Sequence, residues 1–319
     1  MLTRCPYTLK LLSEVAETSR EHVILDALGG PNGYSVTACR TANSQLGNTV
    51  DAAFLAEPLV EMFRSKVGVE SRSGVASWKQ SGETVDGNRP VEVIFPHQGP
   101  VEVYHRKPVE KVAQGKSYQI IAPPAQADKI LKEMKENLAK KGIQITTEET
   151  TQSQNQTIKS RLTLNLTVMN AGLMKIAYLA CCEFLGDSFL TDPLNPEWQK
   201  AIRAQNANDA DQVKIHGRAF GKATESANQI LPKLAEHEHG IAILNLKPNS
   251  VFVVVRLFGC ELLTAVACAS ETSNHGLPER QGMLVICDSK TGVIRRERIE
   301  AQQIEENLTG HVRVPESKQ

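Results

Sequence analysis

The 319 residues balance 36 basic against 36 acidic side chains, with 41% hydrophobic and only 5% aromatic residues. Bulk charge therefore gives no argument for a nucleic-acid partner, which would need a local basic surface. No apolar run reaches the roughly 18–20 residues that span a bilayer, and charges interrupt the N-terminal MLTRCPYTLKLLSEVAE before a signal-peptide core can form. The seven cysteines are odd in number and scattered apart from Cys181-Cys182, which is not a secreted disulfide framework. The expectation is a cytoplasmic, reduced protein with no membrane partner.

In chain order, Cys5-Pro6-Tyr7-Thr8 reads as a turn and Glu21 to Ala27 as an extended segment. Gly29-Gly30-Pro31-Asn32-Gly33 is a dense turn signal, and Tyr34 to Ala38 has the β-branched and aromatic content of a strand. Asn43 to Phe63 has helical spacing, divided or kinked at Pro58. Residues 64–90 are Gly/Ser-rich and read as a linker. Strands are expected at Val91–Phe95, Val101–His105 and Tyr118–Ala122, then a helix over Ala125–Lys140, a strand at Ile143–Thr147 and an exposed polar run, TTEETTQSQNQT. Residues 91–160 would form a small α+β unit. Beyond it, Leu162–Leu166 alternates like a strand, Ala171–Leu185 reads as an apolar helix too short for a membrane, and Pro196–Arg203 as a short amphipathic helix. Ile241–Leu246, Val251–Leu257, Leu262–Cys268 and Met283–Cys287 read as an antiparallel sheet. The predicted class is α+β: a ββα-metal module over residues 1–63, then the linker, the small unit, and a region over 161–319 ending in the sheet.

The chemistry-bearing residues lie between 20 and 51. A strand, a hairpin and a helix there would bring Glu21-His22 opposite Asn43, the layout of a ββα-metal nuclease site. A neutral His can take a proton from water near pH 7. A hard divalent cation takes oxygen ligands, so one carboxylate and one amide can hold it among waters. Neighbouring strand residues point to opposite faces, so a local bend is needed to bring Glu21 and His22 together.

These residues resemble the HNH endonuclease family, in its bacterial EHIIP…LGG…CxxCN…LG…D form. Glu21-His22-Val23-Ile24, Leu28-Gly29-Gly30, Cys39, Asn43, Leu46-Gly47 and Asp51 carry the match. Lys175-Ile176-Ala177 and Leu257-Phe258-Gly259 resemble the tail of such proteins more weakly. The resemblance implies His22 as general base, Glu21 and Asn43 as ligands of a catalytic Mg²⁺ or Mn²⁺ with Asp51 as a further acidic candidate, and DNA as substrate. It also implies a zinc held by two CxxC knuckles. Here Thr8 and Ala42 stand where two of those cysteines would be, leaving Cys5 and Cys39 as a remnant, so no structural Zn²⁺ is expected. Leu25 replaces the motif's proline, and the middle Asn of the family triad has no clean counterpart, Asn32 being the nearest amide. The alternative reading is a degenerate module that binds nucleic acid or a protein partner without cutting.

Among lesser features, Cys5 reads as an exposed thiol, Cys39 as a buried one at a strand end, and Cys181-Cys182 as core. His237-Glu238-His239 reads as a solvated loop rather than a metal site, and Asn274-His275-Gly276 as a turn. Lys129, Lys132, Lys135, Lys140 and Lys141 form a solvated helix face that could meet phosphates, and Arg161 and Lys175 are candidates for DNA-backbone contact. The C-terminal region is the surface open to a second copy or a protein partner.

Overall fold

A computed structural model describes residues 2–71, 74–75, 77–85, 88–112, 117–144, 157–213, 217–219, 227–228, 230–247 and 249–300. The chain divides into two compact units, one of residues 1–75 and 164–319, the other of residues 76–163. The N-terminal module expected over residues 1–63 thus shares a unit with the C-terminal region. The reason is visible in its core.

In the first unit, strands β1 (Thr18–His22) and β2 (Ser35–Cys39) form an antiparallel hairpin, with Glu21 opposite Val36 and His22 opposite Ser35. Helix α1 (Arg40–Leu46) follows directly, opens into a π turn over Gly47–Asp51, and closes with α2 (Ala52–Leu55). Pro58 begins a separate helix, α3 (Pro58–Val67), where its missing N–H costs nothing. A small hairpin, β3 (Glu70–Ser71) and β4 (Gly74–Val75), ends this segment.

The second unit begins inside the expected linker. Strand β5 (Trp78–Thr84) pairs with β6 (Pro90–Phe95), which pairs with β7 (Glu102–His105). A separate hairpin, β8 (Val109–Val112) with β9 (Ser117–Ile120), precedes the sixteen-residue helix α4 (Pro124–Ala139). Strand β10 (Ile158–Ser160) completes a sheet ordered β10-β5-β6-β7. Trp78, which a Gly/Ser-rich reading leaves in a loop, packs its ring 4.5 Å from that of Phe95, tilted by 30°, across the β5–β6 pair. Ile143 and Gln144 are not in a strand, and most of the polar run TTEETTQSQNQT lies outside the described residues. The five lysines on and after α4 are exposed.

The chain then returns to the first unit. Leu162–Leu166 is not a strand: Asn165 caps a helix instead, its side chain accepting from the Val168 amide, and its own amide donates to Glu57 Oε2 at 3.0 Å. That helix, α5 (Leu166–Leu185), is longer than expected. At 20 residues it is long and apolar enough to cross a membrane by length and composition, but 78% of its most apolar stretch is buried inside the fold. Short helices α6 (Asp187–Leu190), α7 (Asn195–Ala201) and α8 (Ala207–Asp211) follow. The sheet has six strands: β11 (Gly217–Ala219), β12 (Glu238–Lys247), β13 (Ser250–Arg256), β14 (Thr264–Ser270), β15 (Gln281–Asp288) and β16 (Ile294–Glu300). They are antiparallel, in the order β11-β14-β13-β12-β15-β16.

The period-2 alternation of these strands sorts their side chains between two cores. Ile241, Ile243, Val253, Val255 and Val285 face α5, within a single apolar cluster that also holds Val23, Leu28, Val36 and Phe54 of the N-terminal segment. Ala242, Leu244, Val254 and Ile286 face the other way, against Leu231 and Leu234. Helix α5 is therefore the central layer, with the hairpin and its helices on one side and the sheet on the other. Gly172 makes that contact possible, since a Cβ there would lie 2.2 Å from the Phe54 ring.

Candidate active site

Strand β1 keeps a regular register with β2 to its last residue, and the expected bend is absent. Its side chains alternate, so Glu21 turns inward and is buried, while His22 turns outward and is half-exposed. The two residues of the acidic–His pair serve different surroundings.

On the outward face, the Nε2 of His22 lies 3.0 Å from Asn32 Oδ1. As placed, Asn32 accepts, so Nε2 carries the hydrogen, an arrangement that in the neutral imidazole leaves the lone pair on Nδ1. Asn32 thus fixes the ring from the turn joining the two strands, a part that the sequence comparison left without a clean counterpart. Arg20 is exposed two residues before His22 and so shares this face. Asn43, on α1, donates through Nδ2 to Ser19 Oγ at 3.0 Å and to the Arg20 carbonyl at 3.3 Å. That engagement clamps the helix to the strand and leaves the amide oxygen as the atom able to ligate a cation.

On the inward face, Glu21 Oε1 accepts from Tyr7 Oη at 2.7 Å and lies 2.8 Å from the ammonium of Lys175. Lys175 comes from the middle of α5, and its Nζ also lies 2.7 and 2.6 Å from the two oxygens of Asp51, at the end of the π turn. The lysine side chain is only 1% exposed. Burial raises the pKa of the Asp51 carboxyl, an effect that Lys175 opposes. Burial and then the Glu21 charge push the Tyr7 phenol well above its ordinary range. Lys175 is therefore not placed to touch a DNA backbone, and the sequence signal that could have marked it was the lone cation in an otherwise apolar helical run.

The resemblance implies a divalent cation held by Glu21 and Asn43, and the residues present do not fit one there. Glu21 Oε1 is already shared by a phenol and an ammonium, and a second cation beside that ammonium would be repelled. Among the described residues, no three His, Cys, Asp or Glu side chains gather into a metal-binding group.

The two knuckle positions are also reorganised. Cys5 is fully buried rather than exposed, and its sulfur accepts from the amides of Tyr7 at 3.4 Å and Cys39 at 3.2 Å. Cys39 is only half-buried, the reverse of the expectation. The turn around Pro6 and Tyr7 is held from outside: Tyr178 Oη and Gln199 Nε2 donate to the Pro6 carbonyl, and an Arg203 guanidinium nitrogen lies 3.4 Å from the Tyr7 carbonyl. Helices α5 and α7 thus tether the turn that follows Cys5.

The Leu28-Gly29-Gly30 turn is pinned by the C-terminal sheet. His239 is fully buried, not on a solvated loop. Its Nδ1 accepts from the Phe258 amide at 3.1 Å, so Nε2 carries the hydrogen and donates to the Leu28 carbonyl at 2.9 Å. Burial pushes its pKa down to about 4, so it stays neutral. Arg64 Nε donates to the Ala27 carbonyl at 2.7 Å. Gly30 is obligatory in this turn, because a Cβ would fall 1.7 Å from the Ile24 carbonyl oxygen.

No curated protein and no solved structure matches this chain. A family comparison does find a match, over the stretch that holds β1, β2, α1 and the π turn. Residues 12–59 match the HNH endonuclease family, and this hairpin-and-helix segment is an HNH-type module.

Proposed function

We propose that the module hydrolyses phosphodiester bonds in nucleic acid, DNA foremost, with His22 as the general base. The observation that carries this reading is the outward face of β1: an accessible imidazole, fixed through Nε2 by Asn32, which in its neutral form would take a proton from water through Nδ1. The exposed Arg20 guanidinium on the same face suits a phosphate. HNH endonucleases generally use divalent metals, so Mg²⁺ and Mn²⁺ are the ions to supply. Since Glu21 does not fit one, no catalytic step is assigned to a metal here.

The test is plasmid nicking by wild type and His22→Ala, side by side, in Mg²⁺, Mn²⁺ and EDTA. Wild type is expected to nick, and the variant to lose about 10²–10⁴-fold in rate with its circular dichroism unchanged. Equal nicking by both proteins would remove His22 from the mechanism. A second reading, that the module binds nucleic acid or a partner protein without cutting, is favoured by the Lys175 ammonium between the two carboxylates. It predicts no nicking by either protein in any metal and salt-sensitive binding indifferent to His22→Ala.

A further inference from the structure

The Lys175 ammonium sits among three carboxylate oxygens: it donates to Asp51 Oδ1 at 2.7 Å and Oδ2 at 2.6 Å and is ion-paired with Glu21 Oε1 at 2.8 Å. Its side chain is 1% exposed, those of Glu21 and Asp51 8% and 14%. The Tyr7 ring closes one side, its centroid 5.7 Å from Nζ. A buried ammonium is tolerated only when its charge is paired, and this one donates to both Asp51 oxygens and is ion-paired with Glu21. The two acidic residues around it belong to the segment that matches the nuclease family, whereas the lysine comes from the core helix 124 residues beyond Asp51.

We propose that Lys175 is the resident cation of this site: its ammonium occupies the position between Glu21 and Asp51 that a divalent metal would otherwise contest, and it excludes metal from Glu21. Helix α5 delivers that charge. It is held against the module by the Gly172–Phe54 contact and by the bond from Tyr178 to Pro6. The proposal concerns occupancy of the carboxylate pair and stands whether or not the module cuts nucleic acid.

The experiment is Mn²⁺ binding by the full chain, followed by electron paramagnetic resonance and by thermal melting with and without Mn²⁺, in wild type, Glu21→Gln, Lys175→Met and Lys175→Met/Asp51→Asn. Wild type and Glu21→Gln should bind Mn²⁺ identically, because Glu21 is not available to it. Lys175→Met should melt lower without metal, gain at least about tenfold in Mn²⁺ affinity (about 1.4 kcal/mol), and recover melting temperature when Mn²⁺ is added. Adding Asp51→Asn should cancel that gain. Wild-type Mn²⁺ binding that weakens in Glu21→Gln would overturn the proposal, and so would a folded Lys175→Met that gains no affinity. If Lys175→Met does not fold, the comparison of wild type with Glu21→Gln decides alone.

Discussion

The two faces of β1 put neighbouring residues of one motif under opposite constraints. His22, facing outward, meets the Asn32 side chain and is open to water. Glu21, facing inward, is sealed under α5 with Tyr7 and Lys175. The outward face is assembled from residues close in sequence, while the inward one exists only because the C-terminal region docks on it. A motif read along the chain treats the pair as one unit, and the pleat of the strand splits it into a chemical face and a structural face.

The largest expected effect breaks the comparison at Lys175. Lys175→Met leaves two buried carboxylates without their counter-charge and should cost about 3–5 kcal/mol in stability, while His22→Ala, on the open face, should stay within about 0.5 kcal/mol. Denaturant melts of the two variants measure this, and equal losses would refute the division between faces.

The next effect is a pH dependence carried from the sheet to the Leu28 turn. The folded pKa of His239 is pushed below its unfolded value, so the unfolded chain binds the proton more readily and stability falls as pH falls. The loss should begin near pH 6.5 and be complete near 4, on the order of 3 kcal/mol in all. Protonating Nδ1 would also set it against the Phe258 amide that now donates to it. Urea melts across that range should show the slope, and His239→Gln should flatten it.

The smallest effect sharpens the outward face. Asn32→Ala removes the partner of His22 Nε2 and should lower nicking up to about tenfold, the worth of one such hydrogen bond, with little change in melting temperature. Full activity in that variant would mean that the ring orients itself without the turn.

Much of this architecture was legible because it is local. The Gly29–Gly33 turn, the break at Pro58, the apolar α5 and the central strands of the sheet follow from periodicity and turn chemistry acting over a few residues. Trp78 and Asn165 misled for a related reason: a strand inside a Gly/Ser-rich stretch is stabilised by its cross-strand partner Phe95, and an alternating stretch can end in a helix cap.

The sequence by itself determined that residues 20–51 carry a hairpin followed by a helix, and that His22, Asn43 and Asp51 fall within it. Only the tertiary structure decided which of those groups meets water. Whether a carboxylate serves a metal or a lysine, a thiol is exposed or buried, or a histidine is solvated or neutral in a core depends on residues 34 to 211 positions away, as for Cys39 with Cys5, Lys175 with Asp51 and His239 with Leu28. Desolvation and ion pairing act through space, and no local pattern encodes which distant side chain will close over a given site.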